Sequence, residues 1–272
     1  MAVITVSRQM GSLGTEIAQI LAERLQYEYV DKDKIGKVLA TYGLPELDLE
    51  KFDEKKPPFW DSWQIQRKKF LHFLEAVIYE FARKGNVVIV GRGGQVLLKD
   101  LPGVFHLRVI APLAVRVQRV LAEEKDEKQT ARLLRRNDRD SEGFIRSFFD
   151  MDWDDPNLYD LVINTQKLSA ASAAEMILRA AQSREIQEGE KRAEEKLTEM
   201  ALIQKVEATL LGLMGVDGRH INAQVEKEVV TLRGSVPSAK DRENCEKAIA
   251  ALDGVKKVDN QILITEYYRF GS

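Results

Sequence analysis

Val3-Ile4-Thr5-Val6-Ser7-Arg8-Gln9-Met10-Gly11-Ser12-Leu13-Gly14-Thr15-Glu16-Ile17-Ala18 decides how this chain is read. The β-branched run at its start reads as a buried strand. Gly11 and Gly14 break that run, and Ile17, Ile20, Leu21 and Leu25 then recur at helical spacing. Strand, glycine turn and helix together aim backbone N–H groups and the positive end of a helix at a phosphate. Laid over residues 8–15, the pattern G-x-x-x-x-G-K-[ST] finds Arg8 and Leu13 at its glycines and Gly14 at its lysine. Only Thr15 fits, at the magnesium-binding hydroxyl. The competing reading is an ordinary glycine-containing βα turn of a doubly wound sheet. A charge-assisted contact is worth roughly 1.5–3 kcal/mol. Without the lysine, a phosphate site here must draw that charge from cations elsewhere in the chain.

Working outward, strand and helix patterns alternate through residue 182, which predicts an α/β fold with a largely parallel sheet flanked by helices. Tyr27 to Ile35 reads as a short strand ending in charged residues. Asp31 is its candidate functional carboxylate, because the carboxyl ends of parallel strands face the ligand crevice, while Lys32, Asp33 and Lys34 read equally as crevice-facing charges or as a solvated turn. Residues 44–63, with Pro45, Pro57, Pro58, Trp60 and Trp63, read as an ordered insertion or lid. Gln64 to Lys84 carries a helical apolar face. Asn86 to Val90 is a second buried strand, ending in Gly91-Arg92-Gly93-Gly94. Arg92, an arginine between glycines at a strand end, is the candidate anion ligand. Val104 to Ile110 is a third strand and Tyr159 to Thr165 a fourth, followed by a helix at residues 171–181. Between these strands lies the most cationic segment, with Arg132, Arg135, Arg136, Arg139 and Arg146 on a helix–loop–helix. Arginines at that density can clamp phosphoryl oxygens. The plainer alternative is a solvated amphipathic helix with i,i+4 pairs.

Composition sets outer bounds. The 272 residues allow one large domain or two smaller ones, and 44% hydrophobic residues support a packed core. Lys+Arg 41 against Asp+Glu 43 gives a net charge of −2, which argues against a wholesale nucleic-acid binder. The single cysteine, Cys245, precludes an intramolecular disulfide and fits a reducing compartment. No run approaches the ~20 apolar residues of a membrane span. The first residues read as a strand and not as a secretory leader, so a cytoplasmic protein is expected. His72, His106 and His220 show no metal spacing. Ser183 to Glu199 is nearly all polar and reads as a charged helical linker. Beyond it lies a small α+β unit: a helix around Leu202, a strand pair across Lys227-Glu228, a helix opened by Ser238 and a last strand near residues 255–265.

Taken together, Ile4-Thr5-Val6-Ser7-Arg8-Gln9 with Gly11-Ser12 and Gly14, Tyr29-Val30-Asp31-Lys32, and Val88-Ile89-Val90-Gly91-Arg92-Gly93 resemble the cytidylate kinase-like family. This family is a branch of the P-loop nucleoside monophosphate kinases. Arg108-Val109 before Ala111-Pro112, Asp138 with Arg146 and Phe148, and Tyr159-Asp160-Leu161 with Asn164-Thr165 extend the match over two-thirds of the chain. Members tend to lack the P-loop lysine, and Thr15 stands where many carry arginine. Val229 to Val236 and Gly254 to Asn260 resemble the BON domain, a binding module for phospholipid, small ligands or proteins. The expected domains are residues 1–182, a linker 183–199, and a BON-like unit 200–268.

The resemblance implies ATP- and Mg²⁺-dependent phosphoryl transfer to a nucleoside monophosphate, CMP or dCMP first. The amides of Gly11, Ser12, Leu13, Gly14 and Thr15 would cradle the donor phosphates, and Thr15 would help hold the metal. Arg92 would bind the acceptor phosphate, with Asp31 on the acceptor side. Arg139 and Arg146 would supply transition-state charge. Two alternatives stand beside this: a degenerate nucleotide sensor coupled to the BON-like unit, and an interaction protein for which nucleotide is incidental.

Overall fold

The β-branched run forms β1 (Val3–Arg8), buried from Val3 through Ser7. In this computed structural model, which describes residues 3–41, 60–121, 126–214 and 221–265, β1 is the centre of a five-stranded sheet. The strand order is β2-β3-β1-β4-β5, with β2 at Glu28–Val30, β3 at Val87–Val90, β4 at Val104–Ile110 and β5 at Leu161–Asn164. Every pairing is parallel, with Thr5 opposite Ile89 on one side and His106 on the other. Helices cover both faces, so the central strands carry continuous apolar runs and not alternation.

On one face α1 (Gly14–Leu25) presents Ile17, Ala18 and Leu21 to Ala173, Ala174 and Ile177, over Ile4, Val6, Val88 and Leu107 of the sheet. On the other face, Phe70, Leu74, Val77 and Ile78 of α3 (Trp60–Lys84) are buried, and the helix lies against β3. The remaining helices of this unit are α2 (Lys32–Thr41), α4 (Gly94–Leu97), α5 (Leu113–Val120), α6 (Glu127–Phe149) and α7 (Ala170–Ala181).

Two segments differ from expectation. Lys32 to Lys34 are the first turn of α2 and not a solvated turn, because Asp31 Oδ1 accepts from Lys34 N at 3.0 Å and caps the helix. The arginine-rich segment is one helix and not a helix–loop–helix. Asp126 caps its start, accepting from Lys128 N and Gln129 N, and its one glycine, Gly143, is exposed with open space around it. Most of the expected insertion at 44–63 lies outside the described residues.

The chain divides into two compact units, Met1–Glu194 and Glu195–Ser272. The division falls inside α8 (Arg184–Met214), within the polar stretch read as a linker. The start of α8 is not free chain. Gly189 lies against Gly103, and a Cβ on Gly103 would stand 2.2 Å from Glu190 N. In the second unit, β6 (Ile221–Glu226) pairs antiparallel with β7 (Val229–Val236), and β7 pairs parallel with β8 (Lys257–Ile264). Lys227 and Glu228, both at positive φ, close the hairpin. Between β7 and β8 runs α9 (Ala239–Ala250), capped by Ser238. Leu202, Val206 and Leu210 of α8 close the core with Val230, Leu232, Cys245, Ile249 and Ile262.

Gly103 sits at φ +84 with backbone where its Cβ would be. Gly103→Ala is therefore expected to lower stability by about 2–4 kcal/mol, combining left-handed strain with overpacking. Urea denaturation reads this, and an unchanged midpoint would show that α8 does not begin against this loop.

Candidate active site

Between β1 and α1 the chain makes a bend whose carbonyls are tied down from outside. Arg116 Nη1 donates to Met10 O at 3.3 Å, Arg119 Nη1 to Gly11 O at 3.3 Å and Thr165 Oγ1 to Ser12 O at 2.8 Å. Gln9 N donates to Val109 O, and Ala111 N to Gln9 Oε1. Arg116 is 4% exposed and pairs bidentately with Asp138 of α6 at 3.1 and 2.8 Å. With the carbonyls so held, the first-turn amides of α1 carry no side-chain cap, which is the arrangement that receives an anion.

The expected cradle residues divide by role. Ser12 is fully buried; its hydroxyl donates to Gln9 O at 2.7 Å and Val109 O at 3.1 Å, and its N–H to Gln9 O at 3.2 Å. Its polar groups hold the bend. Gly11 takes φ +77 and Leu13 φ +65. Leu13 thus adopts the left-handed backbone that makes glycine usual there, at about 1–2 kcal/mol, while its side chain packs on the core under α1. Gly14 and Thr15 begin α1, and Thr15 is exposed.

A cleft of about 330 Å³ opens beside this bend at the carboxyl edge of β1 and β3, lined by residues that include Arg8, Lys32, Arg92, Gln95, Asp140 and Trp153. Among the described residues, three cations and one carboxylate line it. Arg92 sits at φ +53 between Gly91 and Gly93, both also at positive φ. Its guanidinium lies 5.5 Å from the centre of the Phe144 ring. A non-glycine residue in that conformation costs about 1–3 kcal/mol and is typical of ligand-holding loops. Gln95 is 2% exposed, and among the described residues neither its Nε2 nor Arg8 Nε has a hydrogen-bond partner. The floor is rigid. Trp153 Nε1 donates to Ser7 Oγ at 2.8 Å, and the buried Arg108 stacks 4.0 Å from the Trp153 ring and pairs with Asp154. Tyr159 O–H donates to Trp153 O at 2.8 Å, and burial pushes its phenol pKa up.

The structure brings Arg92 to this cleft but not Asp31, Arg139 or Arg146, and the bend residues Gly11, Ser12, Leu13, Gly14 and Thr15 lie next to it, beyond Arg8, and not in its lining. Asp31 is half-buried, with Oδ1 committed to capping α2. The face of α6 that lines the cleft is Asn137, Asp140, Ser141, Phe144 and Ile145. At 3.6 residues per turn, Arg139 and Arg146 stand roughly 200° and 180° round the helix from Asn137. Both are exposed, and Arg146 pairs with Glu142 at 2.5 Å. Residue order does not single out Arg8, Gln95 or Trp153 as site residues. For Arg8 a signal existed: a charged side chain where the phosphate-loop pattern demands glycine.

Parallel strands in the order β2-β3-β1-β4-β5, a glycine bend on the central strand and a cationic cleft beside it define a P-loop kinase fold. The sequence profile of the cytidylate kinase-like family matches residues 3–167, and the chain belongs to that family, among the nucleoside monophosphate kinases. Residues 199–266 match the BON domain. A cytidylate kinase of Methanosarcina barkeri is 29% identical over 169 residues, covering 60% of this chain and 87% of the relative. One of Haloarcula marismortui is 30% identical over 189 residues, covering 66% and 89%. The crystal structure of an uncharacterized protein from Eubacterium ventriosum superposes with a TM-score of 0.54 at 21% identity, covering 68% of this chain and all (100%) of that one, a likeness of fold.

Arg116→Ala removes a buried cation from Asp138, which is itself a quarter exposed (24%), and from the bend carbonyl of Met10. It is expected to cost about 3 kcal/mol, the low end for a broken buried pair. Faster hydrogen exchange at the Ser12 amide, which donates to Gln9 O, should accompany the lower melting point. A stable variant with unchanged exchange would show that Arg116 does not hold the bend.

Proposed function

We propose that this protein transfers a phosphoryl group from ATP to a nucleoside monophosphate, with CMP or dCMP as the acceptor. The observation that carries this reading is the adjacency of the uncapped bend to a cleft with three cations and one carboxylate. Amides of Gly11 to Thr15, apart from Ser12 N–H, face the donor phosphates. Magnesium takes few protein ligands beside phosphates and water, and the Thr15 hydroxyl in the first turn of α1 fits such a role; when bound, the ion neutralises phosphate charge. Arg92 binds the acceptor phosphate, held in place by its flanking glycines.

Among the described residues, Asp140 is the one carboxylate lining the cleft. A carboxylate accepts from the exocyclic amine of cytosine and has no such donor in uracil, which supports CMP and dCMP over UMP. Trp153 and Phe144 supply apolar surface beside it. The protein's work is positioning and charge stabilisation, with no covalent intermediate. The sensor alternative loses its main support, because Leu13 takes up the backbone of the missing glycine. Residues 199–266, by their match to the BON domain, are read as a separate module for a phospholipid, small ligand or protein.

A coupled assay with ATP and each of CMP, dCMP, UMP, AMP and GMP tests the reading. Nucleotide binding with no turnover of any acceptor would sink it. Arg92→Ala is expected to lower kcat/KM by about 10²–10³ with the fold retained. Arg139→Ala and Arg146→Ala, on the far side of α6, are expected to cost less than about 5-fold. A larger loss in either would mean that α6 turns during the cycle. Asp140→Ala should narrow the preference for CMP over UMP by roughly 10-fold or more, a hydrogen bond to a charged group being at stake.

A further inference from the structure

The sequence around the bend departs from the phosphate-loop pattern at two positions that the structure joins. Arg8 stands where the pattern has its first glycine, and Gly14 where it has lysine. A Cβ built on Gly14 would lie 2.4 Å from Arg8 Cβ and 2.9 Å from Arg8 Cγ. Gly14 does not sit at positive φ and opens α1, so backbone conformation does not ask for glycine there. Space asks for it: the stem of Arg8 crosses the place where any side chain at 14 would begin. Glycine at 8 with lysine at 14, and arginine at 8 with glycine at 14, are two ways of filling one volume with one cation.

The head of Arg8 lies where that cation is needed. Its Nη1 is 3.2 Å from the Cβ position of Gly91, beside the Arg92 loop, and Arg8 lines the cleft with Lys32 and Arg92. Among the described residues its Nε is buried without a hydrogen-bond partner, as is Nε2 of Gln95 on the same cleft. Burial lowers the Arg8 pKa, and the charge of Arg92 lowers it further, against the opposing pull of Tyr29 and Asp31. Two neighbouring guanidiniums in a desolvated cleft are stabilised by an oxyanion lying between them.

We infer that Arg8 replaces the missing phosphate-loop lysine: its stem spans the donor bend at Gly14, and its guanidinium contacts the transferred phosphoryl group on the way to the acceptor held by Arg92. This rests on the kinase reading above and assigns it a catalytic residue. The bond broken is that between the terminal phosphorus and its bridging oxygen on the donor. The bond formed is to an acceptor phosphate oxygen. Arg8 keeps its protons and stabilises charge on the equatorial oxygens.

The test is an exchange of positions. Arg8→Ala is expected to lower kcat by about 10²–10³ with KM for CMP changed less than about 5-fold. Gly14→Lys alone should melt earlier than wild type, since its Cβ has no room. The double variant Arg8→Gly/Gly14→Lys should recover kcat by at least about 10-fold over Arg8→Gly, because the lysine then occupies the freed volume. A second readout is isothermal titration with inorganic tripolyphosphate, expected to bind about 10-fold more weakly to Arg8→Ala. Turnover by Arg8→Ala within about 3-fold of wild type would overturn the assignment. So would a loss confined to KM, a double variant with native circular dichroism and no recovery, or equal tripolyphosphate affinity in wild type and variant. If wild type turns over no acceptor, the kinase reading fails while the titration still decides whether Arg8 grips a phosphate chain.

Discussion

The first unit depends on hydrogen bonds that hold the carbonyls of one bend from behind. Backbone at a strand-to-helix junction carries as many acceptors as donors, and an anion is received only if the acceptors are turned away. Here Arg116, Arg119 and Thr165 take the carbonyls of Met10, Gly11 and Ser12, and the Ser12 hydroxyl ties Gln9 to Val109. Arg119 also donates to Thr165 Oγ1 and O, so the end of β5 and the helix after β4 act as one clamp. The arginines of α5 thus act on the backbone: by holding the carbonyls they set the direction of the bend's amides.

That dependence on direction explains which parts of the molecule were legible from residue order. Strands buried on both faces announce themselves as apolar runs, and the five-strand sheet and the second unit's strand–helix–strand followed from period and turn chemistry alone. Ser238 as a helix cap was equally readable. Less readable was anything that turns on which way a cation faces. The arginines of α6 form the densest positive run in the chain, yet the helix buries Thr130, Leu134, Phe144, Ile145 and Phe148. That apolar stripe sets the rotation of the helix, and Arg139 and Arg146 are carried to the opposite side. Packing energy decides the orientation because a solvated arginine is indifferent to it. Asp31 has a local use that residue order does not announce, for a related reason. A carboxylate at a strand end that is also the residue before a helix is drawn into capping, which satisfies an otherwise orphaned amide.

The second unit shows where residue order stops. Its core of aliphatic side chains is closed, and one face carries Arg233 bridging Gln261 and Gln224 across the three strands. Leu263 and Ile264 stand 68% and 45% exposed at the end of the edge strand β8, next to residues outside the description. A ladder of this kind orders the sheet but selects no ligand by charge or shape.

A degraded motif is a statement about volume as much as about identity. The glycines of a phosphate-binding loop answer different demands: one must tolerate left-handed backbone, another must leave room for a side chain passing over it. Leu13 meets the first demand at a cost that packing under α1 offsets, so the loss of that glycine says little about function. Gly14 meets the second, and it makes sense only together with Arg8. Position-by-position comparison scores both as failures of the pattern. In three dimensions one is strain absorbed by the core and the other a cation entering the same space from the opposite side of the loop, so of the three departures from the pattern it is the Arg8–Gly14 pair, and not Leu13, that reaches the cleft, through Arg8.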